Sequence, residues 1–125
     1  MLVIRKEQMA MFESHLGQRF RNQLRQHVKT EFPEQTRGLT DLAVDKRISE
    51  GVERARLYEI TTERDLTLFV DLVFSLGLNF EQERKMAWAK KILLDPGFDG
   101  AAKMKSIYAR LAAFENRAVE KARAP

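Results

Sequence analysis

At 125 residues the chain matches one domain, residues 1–125, long enough to bury a core without staples; with no cysteine, disulfides and thiolate metal sites are excluded. The formal charge of +4 comes from 22 basic and 18 acidic residues that are intermixed, which is not a nucleic-acid composition. The start, Met1-Leu2-Val3-Ile4-Arg5-Lys6-Glu7, reverses the basic-then-apolar order of a secretory signal, and no window approaches the ~18 apolar residues of a membrane span, so the expected location is cytoplasmic.

The first helix is predicted from about Arg5 to Glu31. Phe12, Leu16, Phe20, Leu24 and Val28 recur every four residues and give it one apolar stripe, which Met9 extends. Arg19, Arg21, Arg25 and Lys29 lie on the opposite side, and residues 1–31 carry +3 from six basic and three acidic side chains. Pro33 stops the helix, because the residue before a proline is pushed out of the α region.

A second helix is predicted from about Asp41 to Tyr58, with Thr40 as N-cap and Val44, Ile48, Val52 and Ala55 as its apolar positions. Gly51 falls inside that pattern at a cost of about 1 kcal/mol against alanine, which points to a close helix approach. The segment 41–65 is mildly acidic, −2 from five basic and seven acidic residues.

Thr62-Glu63-Arg64-Asp65 reads as a capping box with Asp65 in the place of the usual Glu or Gln. The residues that follow, Leu66, Leu68, Phe69, Val70, Leu72, Val73, Phe74 and Leu76, cover most of a helical circumference. This third helix, near 62–78, is therefore expected to be the central one. Thr67, Asp71 and Ser75 share the remaining strip and are expected to face solvent or a partner. A fourth helix is predicted over about Glu81 to Leu94, ended by Asp95-Pro96-Gly97. A fifth is predicted over about Gly100 to Lys121 with Met104, Ile107, Tyr108, Leu111 and Phe114 inside. The fold class is all-α, a compact and largely antiparallel bundle of about five helices.

Catalytic equipment is not visible. His15 and His27 are more than three turns apart on one predicted helix and cannot share a metal within a monomer. Asp41 and Asp45 sit at i, i+4, but no E-x-x-H element accompanies them. Asp71, in an apolar context, is the acid whose pKa burial would raise; one carboxylate does not make an acid–base pair. Ser14, Ser49, Ser75 and Ser106 lack a G-x-S-x-G setting, and there is no phosphate-binding glycine loop. No enzyme activity, cofactor or metal is expected. What packing does not absorb is the apolar excess: 44% hydrophobic residues, eight Phe and five Met. Leu2, Val3, Ile4, Met9 and Met11 surround the start of the first helix, while Trp88 and Phe98 flank the fourth. Met-rich and aromatic surfaces are the usual adaptable contact patches.

Several stretches together carry a resemblance. They are Leu2-Val3-Ile4-Arg5-Lys6-Glu7-Gln8-Met9, Phe32-Pro33-Glu34-Gln35, Gly51-Val52-Glu53-Arg54-Ala55, Tyr58 through Asp65, and Phe69-Val70-Asp71-Leu72-Val73-Phe74 with Gly77 and Phe80. Trp88-Ala89-Lys90-Lys91-Ile92-Leu93 with Asp95-Pro96 completes the pattern. The chain resembles a family of small helical proteins of Gram-negative bacteria encoded beside type VI secretion spike, adaptor and effector genes. It departs from them between Pro33 and Asp41, where they often carry a longer acidic, glycine-containing segment. The resemblance implies a non-catalytic accessory role, a co-chaperone or adaptor partner that binds an effector, its adaptor or a spike component. An immunity protein against a cognate toxin and a nucleic-acid-binding regulator are the alternatives. The residues expected at the contact surface are Met9, Arg19, Arg21, Arg25, Asp71 and Trp88, with a homo-oligomer also compatible and no membrane partner.

Overall fold

The structure is a computed structural model that describes the backbone of residues 2–123 and the side chains of residues 17–115. The expected all-α bundle is found. In chain order the helices are α1 (Leu2–Glu31), α2 (Pro33–Thr36), α3 (Asp41–Leu57), α4 (Glu63–Leu76), α5 (Ala87–Leu94) and α6 (Gly100–Arg123), with 3₁₀ turns at Phe80–Gln82 and Arg84–Met86. No helix among the described residues is long and apolar enough to cross a membrane.

Helix α4 is the hub, packed against α1, α3 and α6. Leu66, Phe69, Val70, Leu72, Val73 and Phe74 are all buried, so its near-continuous apolar circumference is used on several sides. Around it lie Phe20, Leu24 and Val28 of α1, the four predicted positions of α3, and Met104 and Ile107 of α6. Phe12 and Leu16, the start of the predicted α1 stripe, lie outside the described side chains. Gly51 sits where α3 meets α4: a Cβ there would stand 3.4 Å from Val73 Cγ2 and 3.6 Å from Val70 Cγ2.

The caps explain where α3, α4 and α6 begin. Thr40 Oγ1 accepts from the Ala43 amide at 3.1 Å, and Thr62 Oγ1 accepts from the Asp65 amide at 3.2 Å. The shorter aspartate alters the second half of the box. Asp65 Oδ2 accepts from the Thr62 hydroxyl at 2.8 Å, so one hydroxyl both caps the helix and holds the acid. Asp99, not anticipated as a cap, accepts from the Ala102 amide at 2.8 Å and starts α6.

Two expectations about helix extent are corrected. The apolar spacing predicts an unbroken first helix, whereas α1 is interrupted at Gly17 (φ 77, ψ 162), a conformation open almost only to glycine. The fourth helix was placed from Glu81, yet only Ala87–Leu94 is α-helical. Glu83 adopts extended geometry (φ −71, ψ 141) and separates the two 3₁₀ turns. The gain from this irregular path is burial of both Phe80, whose ring lies 5.5 Å from that of Phe69, and Glu81. After Pro33, the chain also makes one extra helical turn, α2, with proline in the first-turn position that tolerates it.

Candidate functional site

Polar side chains, part-buried and exposed, cross-link the helices. Arg25 of α1 grips Asp45 of α3 with two parallel bonds of 2.7 Å, and Lys29 donates to Asp41 at 2.5 Å. The Lys29 ammonium lowers the pKa of Asp41, and the Asp45 carboxylate keeps Arg25 more firmly protonated. Arg21 is half-buried beside a cavity of about 20 Å³ between α1 and α3, room for about one water. Of the basic residues expected at a contact surface, only Arg19 is exposed; Arg25 is half-buried and paired with Asp45. Met9 lies outside the described side chains.

Asp71 corrects a further expectation. It does not join Ser75 on a free polar strip; its Oδ1 lies 2.7 Å from His27 Nε2, tying α4 to α1. Burial, the largest influence, raises the Asp71 pKa against the opposing pull of His27. The sequence pattern signalled the acid but not its partner, because His27 sits 44 residues away on another helix.

The most buried charge was missed altogether. The Glu81 side chain is fully buried, and its Oε2 accepts from Arg54 Nε at 3.1 Å, from Arg54 Nη2 and from the Tyr58 hydroxyl at 2.8 Å. Its Oε1 has no donor among the described residues. Burial and the Glu81 carboxylate push the Tyr58 pKa up to about 12. Lys103, also buried, donates to the Tyr58 carbonyl at 2.8 Å. Its place four residues before Ile107, on the inner stripe of α6, was the available sequence signal.

A groove of about 550 Å³ runs between α4 and α6, lined by Leu68, Ala101, Met104, Arg64 and Lys105. Its other polar groups are committed to the fold: Asp65 to the α4 cap, and the Tyr108 hydroxyl to the Leu68 carbonyl at 2.6 Å. Burial, with the Asp71 carboxylate, holds the Tyr108 pKa above its usual value. Among the described residues, no group of three or more His, Asp or Glu side chains is placed to hold a metal ion.

Trp88, on α5, packs against the core where α5 meets α6. It is half-buried, with its ring meeting Phe114 edge-on at 5.8 Å and the Arg110 guanidinium lying 5.0 Å over its face. Arg110 is also 5.9 Å from the Phe114 ring, and Phe114 keeps 41% of its surface exposed. The α5–α6 hairpin thus presents a tryptophan, an arginine and a phenylalanine packed on one another at the surface. No protein-family model matches the chain, and no curated protein or solved structure matches it significantly.

Proposed function

We propose that this chain is a non-catalytic, protein-binding accessory factor, a co-chaperone or adaptor partner for a type VI secretion effector or its adaptor, acting in the cytoplasm. The observation that carries the protein-binding reading is the Trp88–Arg110–Phe114 cluster. Tryptophan and arginine dominate binding hot spots, and here a cation–π stack already holds both in place, which lowers the entropy cost of engaging a partner. The other polar features support the same reading, since they are spent on joining helices rather than on converging on an open cleft. The secretion context rests on the resemblance of the Leu2–Met9, Ile48–Phe80 and Trp88–Pro96 stretches.

The test is co-expression of the full chain with the spike, adaptor and effector products of its neighbouring genes, followed by co-purification. The expected result is a stable complex with one of them that Trp88→Ala weakens at least tenfold. Failure to co-purify with any would overturn the proposal. Protection of cells expressing a toxin alone would instead identify an immunity protein.

A further inference from the structure

The surroundings of Trp88 carry a sign of charge. Lys91 lies three residues after Trp88 on α5, Arg84 lies in the 3₁₀ turn that precedes α5, and both are exposed. Among the described residues, neither of them nor Arg110 has a carboxylate partner. The acids nearest in sequence are occupied: Glu83 is 3.6 Å from Lys85, Asp95 accepts from the Gly97 amide, and Asp99 caps α6. Glu115 follows Phe114 directly and so points about 100° further round α6. Among the described residues the aromatic pair thus has Arg110 on its rings and two further exposed cations, Arg84 and Lys91, on the flanking segments, none of them in an ion pair.

We infer that this surface docks an acidic amphipathic helix of a partner protein, its apolar stripe on Trp88 and Phe114 and its carboxylates against Arg84, Lys91 and Arg110. The inference rests on the protein-binding reading above and gives that partner a chemistry. Opposite charge favours encounter and fixes orientation, while the buried aromatic contact supplies most of the affinity. A second copy of this chain would bring the same three cations to the interface and meet like charge, which disfavours self-docking through this face.

Trp88 is the only tryptophan in the chain, so its emission reports on this surface alone. The probe is a synthetic helical peptide of Leu, Ala and Glu about five turns long, ~18 residues at 3.6 per turn. Its counterpart with Lys in place of Glu is the control. The full chain should bind the Glu peptide saturably with a blue shift of Trp88 emission and should ignore the Lys peptide. Arg110→Ala and Phe114→Ala, each shown to be folded by circular dichroism, should weaken binding of a labelled Glu peptide at least tenfold, as should raising salt to 1 M. An unchanged Trp88 emission, equal response to both peptides, or wild-type binding by both variants would overturn the inference. So would a Trp88 shift that follows protein concentration alone, which would assign the face to a second copy. A complex with a secretion component that forms while the Glu peptide leaves Trp88 unchanged would sink this surface assignment and leave the accessory role standing.

Discussion

Single residues in this bundle differ sharply in what their charge costs. Asp71 has only 21% of its side chain exposed, and its pKa is raised because burial outweighs the help of His27. The folded state then holds that proton more tightly than the unfolded chain does. Stability contributed by the protonated acid is present below about pH 3.8 and is lost as pH rises through the raised folded value. In a His27→Gln background, urea unfolding should show this loss over that window, superposed on the opposite trend of Asp41, whose lowered pKa gives stability that is lost as pH falls. Adding Asp71→Asn should remove the loss on rising pH; an unchanged slope would show that Asp71 is not its source. Glu81 is the contrasting case, a fully buried carboxylate whose Oε2 takes all of its donors, from Arg54 and Tyr58. Removing Arg54 leaves that charge stranded, and Arg54→Ala should cost about 3 kcal/mol. Tyr58→Phe deletes one neutral donor and should cost about 1 kcal/mol by the same denaturation measurement. A milder Arg54→Ala than Tyr58→Phe would show that the carboxylate is not held as an ion.

At the scale of elements, what was legible followed from periodicity and what was not followed from contacts distant in sequence. The interiors of α3, α4 and α6 could be read because a 3.6-residue period states which face is inside, and their caps Thr40 and Thr62 are local chemistry. The break at Gly17 is local too, yet the apolar spacing runs through it on both sides and masks it. The 3₁₀ path from Phe80 to Met86 was illegible for another reason: it is set by Arg54 and Tyr58, which lie 27 and 23 residues from Glu81. The candidate site divides in the same way. Trp88 was visible by type, whereas Arg110 and Phe114 join it only through the α5–α6 hairpin. Gly51 lets this element-scale reasoning be tested. Its added Cβ would meet Val73 and Val70 at 3.4 and 3.6 Å, ordinary contact distances. Gly51→Ala should therefore fit, and the gain in helix propensity makes it neutral or up to about 1 kcal/mol stabilising. Gly51→Leu should lose about 1–3 kcal/mol by overpacking against α4. Thermal unfolding of both variants measures the difference, and a strongly destabilised alanine variant would mean the helices approach more closely than these distances.

For the whole molecule the question is whether the contact surface and the core behave as one unit. Phe69 lies in the core with its ring beside those of Tyr58 and Phe80, while Trp88 packs at the edge of that core and against Phe114 of α6. The path between them is short and continuous. Met104 and Ile107 bury the inner face of α6 in the core that α4 centres, the Tyr108 hydroxyl reaches the Leu68 carbonyl, and Lys103 ties α6 to the end of α3. These links join the outer hairpin to the hub by apolar burial and by polar bonds at two separate points. A structure coupled in this way should unfold in one transition. Trp88 fluorescence and far-ultraviolet circular dichroism should then give the same midpoint in urea, because one reports the hairpin and the other reports helices throughout the chain. Phe69→Ala opens a cavity in the hub and should cost about 3–5 kcal/mol. The decisive feature is that it should move both midpoints together, although Phe69 lies in a different helix from Trp88. If the fluorescence midpoint stayed while the dichroism midpoint moved, the α5–α6 hairpin would be a separate folding unit, and the contact surface would be held independently of the core.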